Sequence, residues 1–136
     1  MKPEELMIGD IVNVHRCECV ADSGHFQEWN EYGKVVSITE DYITIKYIGR
    51  EEDYGFEDVN EEDINPIPLT PEILEKNGFK ECTNGDWTND NVDFIFYRRK
   101  DGIFRIQNTN MTLPYVSSFQ HALRLCSINK EIEIWN

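Results

Sequence analysis

Asp63-Ile64-Asn65-Pro66-Ile67-Pro68-Leu69-Thr70-Pro71-Glu72 is a short, stiff connector that runs straight into a helix start. Three prolines in six residues hold the backbone extended, and each restricts the residue before it. Thr70 offers a side-chain oxygen to the free amides of the next turn. Pro71 suits the first helical position, where its missing N–H is not needed. The segment therefore divides the chain into 1–65, a connector over 66–71, and 72–136.

The two parts differ in charge. Residues 1–66 hold 5 Lys and Arg against 17 Asp and Glu, whereas residues 67–136 hold 8 against 9. Nearly all of the net charge of −13 thus lies in the first half. Such a field repels phosphates and anionic lipid and favours basic partners, although it also serves solubility alone. With 136 residues, 40% of them hydrophobic, the chain can bury one modest core or two small ones. No run nears the roughly 20 apolar residues of a membrane span. The start, Met1-Lys2-Pro3-Glu4-Glu5, is polar, so no secretory signal is expected. Cys17, Cys19, Cys82 and Cys126 lack a framework-like spacing, and reduced thiols in a cytoplasm are the expectation.

The first half reads as short strands. Ile8–His15 starts with a turn and continues as a β-branched run; Gly33–Ile38 and Tyr42–Tyr47 follow, joined by Thr39-Glu40-Asp41. Tyr42, Thr44 and Lys46 alternate with Ile43, Ile45 and Tyr47, giving one wet face and one buried face. Ala21–Tyr32 reads as a long loop. Closely spaced strands without helices suggest a small, bent barrel of the SH3 type. The second half reads as helix Pro71–Asn77 with Gly78 as its left-handed cap, a hairpin over Asn91–Asn108, a helix over Ser117–Cys126 and a strand over Glu131–Trp135. Asp101-Gly102 suggests a two-residue turn, which sets Tyr97 opposite Ile106 and Phe96 opposite Gln107. The fold class is α+β: an SH3-like barrel, then a unit of helix, antiparallel strands and helix.

Glu5-Leu6-Met7-Ile8-Gly9-Asp10-Ile11-Val12, the run Pro66–Phe79 and Gln120-His121-Ala122-Leu123-Arg124-Leu125 resemble a group of small proteins of gut Bacteroidetes bacteria, their phages and integrated elements. That family has no assigned activity, so the resemblance implies a genomic setting and no catalytic residues. Where its members carry a Tyr-Val-His-Gln-Leu-Gln entry to the last helix, this chain has Tyr115-Val116-Ser117-Ser118-Phe119-Gln120, without the histidine.

Three constellations carry possible chemistry. Glu51, Glu52, Asp53, Tyr54, Glu57 and Asp58 belong to a stretch, 51–63, with eight acids in thirteen residues. It reads either as a surface that docks a basic protein or as a solvated edge with Tyr54, Phe56 and Val59 turned to the core. Phe94, Phe96, Arg98 and Arg105 share one face of the expected hairpin, and with Arg99 they form an alternative face for nucleic acid. The competing reading buries the phenylalanines beneath the last helix.

His15, Cys17 and Cys19 point one way along a strand, and His25 can return from the following loop to complete a tetrahedral metal site. The Cys-x-Cys spacing is unlike that of common structural zinc sites, and buried thiols are ordinary core residues. No cofactor is implied. His15, His25 and His121 lack a Ser or Cys–carboxylate set, and no glycine-rich phosphate loop occurs. The expected function is a non-catalytic interaction protein of a phage or mobile element, binding a basic host or phage protein, with antagonism of host defence as one form of that role. A nucleic-acid-binding module and a metal-binding protein or enzyme are the alternatives.

Overall fold

A computed structural model describes residues 1–20, 24–49, 55–125 and 132–133. The chain forms two compact units, Met1–Ile67 and Pro68–Asn136, which divide within the proline connector. Both are built on antiparallel sheets, and the second adds two helices. The protein is α+β.

In the first unit, β1 (Ile11–Val20), β2 (His25–Ile38), β3 (Ile43–Tyr47), β4 (Phe56–Val59) and β5 (Ile64–Asn65) form one sheet in the order β4-β3-β2-β1-β5. Period-two alternation places Val12, Val14, Val35, Ile43, Ile45, Tyr47 and Val59 on its inner face, where Leu6 and Ile64 join the core. Tyr42, Thr44 and Lys46 face outward, as the sequence pattern indicates. Gly33 sits opposite Tyr47, and a Cβ there would collide with Cγ2 of the buried Ile45. Only glycine therefore lets β2 lie this close to β3. The sheet is not closed: no described residues of β4 and β5 pair with each other. β5 is two residues long and is spent on Asn13 and Val14.

The expected loop over Ala21–Tyr32 is corrected. β1 and β2 pair continuously from Ile11↔Lys34 to Val20↔His25, so residues 25–32 are strand. Beyond Val14 this hairpin has no third strand among the described residues. It projects as a two-stranded ribbon on which Cys17, Cys19 and Phe26 are exposed.

In the second unit, α1 (Pro71–Lys76) precedes β6 (Lys80–Glu81), β7 (Asp86–Asn89), β8 (Val92–Arg98), β9 (Phe104–Ile106) and β10 (Thr112–Leu113), and α2 (Val116–Leu125) follows them. The strands lie in the order β10-β9-β8-β7-β6. Both ends of α1 form as local chemistry requires. The Ile73 amide donates to Thr70 Oγ1 at 3.3 Å. Gly78 takes φ 86°, while the Phe79 amide reaches Leu74 O and the Gly78 amide reaches Glu75 O. On α2 the stripe Phe119, Ala122 and Leu123 is buried, while Cys126 lies outside the described residues. So does the expected strand Glu131–Trp135, apart from Ile132 and Glu133. The Asn77 side chain bonds the backbone N–H and C=O of Glu133, each at 2.8 Å.

The β8–β9 hairpin differs from expectation by one residue. Phe96 pairs with Ile106, Tyr97 with Arg105 and Arg98 with Phe104. The turn has three residues, Lys100-Asp101-Gly102, closed by Arg99 N–H to Ile103 O, with Gly102 at φ 87°. A one-residue slip turns every partner side chain to the other face. Phe104 and Ile106 thereby join Phe96 in the core, and Arg105 shares the opposite face with Ile95 and Tyr97. Among the described residues, no helix is long and apolar enough to cross a membrane.

Candidate functional site

The most organised polar constellation gathers around Arg16. Alternation along β1 turns Arg16 to the same face as Val12 and Val14, an inward direction in which a charge must find partners. Three neighbouring strands supply them. Trp29 lies directly across from Arg16 on β2, and the guanidinium carbon stands 5.5 Å from its ring centroid. Tyr47 of β3 presents a second ring at 4.7 Å. Arg16 Nη1 lies 3.3 Å from Glu31 Oε1, and Arg16 Nη2 pairs with Glu57 Oε2 on β4. Trp29 Nε1 donates to the same Glu31 oxygen at 2.7 Å, which fixes both the indole and the carboxylate. A planar cation is thus held by two aromatic rings and two carboxylates.

Burial, followed by the neighbouring Glu57 carboxylate, pushes the Tyr47 hydroxyl up to about 12 from its ordinary 10. The folded protein therefore holds this proton more tightly than the unfolded chain does. The associated stability is intact below pH 10 and is lost as pH rises from about 10 to about 12. Tyr47→Phe, which cannot ionise, should lose less stability than wild type across that window. The gap should approach about 2 kcal/mol near pH 12, read by urea unfolding at a series of pH values. Parallel curves for the two proteins would mean that Tyr47 ionises equally well in both states.

A cleft of about 250 Å³ adjoins this niche, lined in part by Arg16, Tyr47, Glu57, Asp58, Asn60 and Asp63. A second, of about 190 Å³, is lined by Pro3, Tyr42 and Asn60 together with Glu40, Asp41, Glu61 and Glu62. Both carry carboxylates on their walls.

The expected acidic segment is seen in part. Glu51, Glu52, Asp53 and Tyr54 lie outside the described residues. Glu57 is half-buried on Arg16, and Asp58 is exposed and accepts from Thr44 Oγ1 at 2.7 Å. Phe56 is exposed beside Lys46 instead of turning to the core, whereas Val59 is buried.

The four expected metal ligands do not converge. His25 pairs with Val20, so it shares a face with Arg16 and Glu18, while His15, Cys17 and Cys19 point to the other side with Phe26 and Glu28. The reason is the period of two: a continuous strand returns His25 on the wrong parity. His15 Nε2 instead lies 4.0 Å from Glu28 Oε2. Among the described residues, no three His, Cys, Asp or Glu side chains are grouped to hold a metal ion.

The alternative nucleic-acid face is dispersed by the register. Phe96 is fully buried, and Phe94 is half-buried against it. Arg98 Nε donates to Gly102 O at 3.3 Å, and Arg99 pairs with Asp101 at 2.9 Å. Arg105 donates to Thr109 O at 2.6 Å and to Asn110 Oδ1 at 2.8 Å, from the opposite face. These arginines brace two loops.

Arg16, Trp29, Glu31 and Tyr47 were not legible as a site in the sequence, because residues 21–32 read as a loop. The turn-forming Asp22-Ser23-Gly24, placed between two extended runs, is the signal that marks the hairpin. Compared with known protein families, curated proteins and solved structures, the chain matches none.

Proposed function

We propose that this is a non-catalytic interaction protein whose N-terminal unit, an SH3-like open barrel, docks a basic protein on its acidic side. The strand order β4-β3-β2-β1-β5, with a 3-10 turn over Glu61–Asp63 just before the last strand, supports the SH3-like reading. The observation that carries the functional reading is the cleft beside Arg16. There Glu57, Asp58 and Asp63 stand around the Tyr47 wall, on the half of the chain that holds 17 of the 26 acids. A field of one sign speeds encounter with a basic surface and weakens as salt rises. The resemblance to proteins of phages and integrated elements supports a role inside a bacterial cell, where an antagonist of nucleic-acid-targeting defence would meet basic host surfaces.

Affinity purification from the bacterial host, with and without nuclease, followed by mass spectrometry, tests this. One protein should remain bound after nuclease treatment and be released by high salt. Replacing Asp58, Glu61, Glu62 and Asp63 by their amides leaves the Arg16 pairing intact and should weaken that complex at least about tenfold, roughly 1.4 kcal/mol. Recovery that depends wholly on nucleic acid would defeat the proposal and favour a nucleic-acid-binding module.

A further inference from the structure

The Arg16 niche has the chemistry of a binding site for a side chain that the protein already contains. Two nitrogens of one guanidinium reach two different carboxylates, Nη1 to Glu31 and Nη2 to Glu57, while its carbon lies within 6 Å of two aromatic centroids. A planar, weakly hydrated fork satisfies all four contacts together, whereas a lysine ammonium is a compact, strongly hydrated point charge. The walls of the niche are also held by contacts that do not involve Arg16. Glu31 is held by the Trp29 indole at 2.7 Å, and the Tyr47 ring is buried in the sheet.

Arg16 lies, with Trp29 across from it, on the part of the ribbon that has no third strand among the described residues. Beyond Val14, β1 has only β2 as a described neighbour, and Cys17, Glu18 and Cys19 are exposed. The adjoining cleft touches Arg16, Tyr47 and Glu57, and so provides an approach for a second cation.

We infer that the Trp29, Glu31, Tyr47 and Glu57 niche is an arginine-recognition site, occupied in the free protein by Arg16 and taken over by an arginine of the basic partner. This rests on the reading of the acidic side as a docking surface and adds the side chain that the surface selects. Exchanging one guanidinium for another conserves the contacts inside the niche. The surrounding carboxylates then supply the attraction, and the niche supplies discrimination between arginine and lysine. Arg16 acts as a built-in competitor that keeps isolated cations out.

The test uses the full chain labelled with 15N, reading the Trp29 indole N–H because that group touches the niche directly. The probes are N-acetyl-arginine amide and N-acetyl-lysine amide. Arg16→Ala should bind the arginine probe at least about tenfold more tightly than wild type does, and at least about tenfold more tightly than it binds the lysine probe. Its melting temperature should rise with the arginine probe alone. No binding to Arg16→Ala, or equal binding of the two probes, overturns the inference.

Should Arg16→Ala fail to fold, wild type titrated with octa-arginine and octa-lysine decides. Only octa-arginine should move both the Trp29 indole and the Arg16 Nε–H resonances. Equal shifts from both peptides would remove arginine selectivity and leave the acidic docking surface standing. Binding of neither peptide would remove both.

Discussion

Phe96→Ala should cost the C-terminal unit about 3–5 kcal/mol, the range for truncating a fully buried phenylalanine. Phe96 is the hub of an aromatic cluster, with ring centroids 5.6 Å from Phe79, 5.8 Å from Phe104, 5.7 Å from Phe119 and 6.0 Å from Phe94. Those neighbours come from the link between α1 and β6, from β8 and β9, and from α2, so one truncation opens a cavity that touches every layer of the unit. The surrounding rings are themselves anchored and can collapse only partly into the gap. Tilted and edge-on aromatic pairs add about 0.5–1.5 kcal/mol each beyond area burial. Urea unfolding followed by Trp87 fluorescence reads the loss locally, because Trp87 stacks edge-on with Phe104 at 5.9 Å. Phe94→Ala is the control: its side chain is half-buried, and its loss should be much smaller. Equal effects at 94 and 96 would show that Phe94 is packed as tightly as Phe96 and that Phe96 is not the hub of the cluster.

Leu74→Ala should cost about 2–5 kcal/mol. Helix α1 has only six residues, far below the length at which an isolated helix persists in water, so its attachment must come from packing. Leu74 is its one fully buried side chain, flanked in sequence by the buried Leu69 and Phe79. The caps at Thr70 and Gly78 set where the helix begins and ends. They do not hold it to the sheet. A melting temperature within a degree or two of wild type would mean that the helix is peripheral and that the cluster around Phe79 stands without it.

The features legible in the sequence are those set by neighbours within a few residues. Pro66, Pro68 and Pro71 stiffen the connector, Thr70 and Gly78 bound α1, and the alternation from Tyr42 to Tyr47 orients β3; each is a local steric or hydrogen-bonding preference that tertiary contacts reinforce. The β8–β9 turn shows where local signals end. Asp101-Gly102 is compatible with a two-residue turn or with a three-residue turn ending in a left-handed glycine, and the two differ by one residue in register. The three-residue turn carries Phe104 and Ile106 into the core beside Phe96, and the burial of that apolar surface outweighs the small difference between turns. The Arg16 niche lay further out of reach. Its members come from four strands, and Trp29 and Glu31 sit in a stretch whose polar residues mask the strand period. Nothing in the spacing of residues 16, 29, 31, 47 and 57 brings them together. Antiparallel pairing of β1 with β2, and of β2 and β4 with β3, does so, because a sheet makes neighbours of residues on one face whatever their separation along the chain.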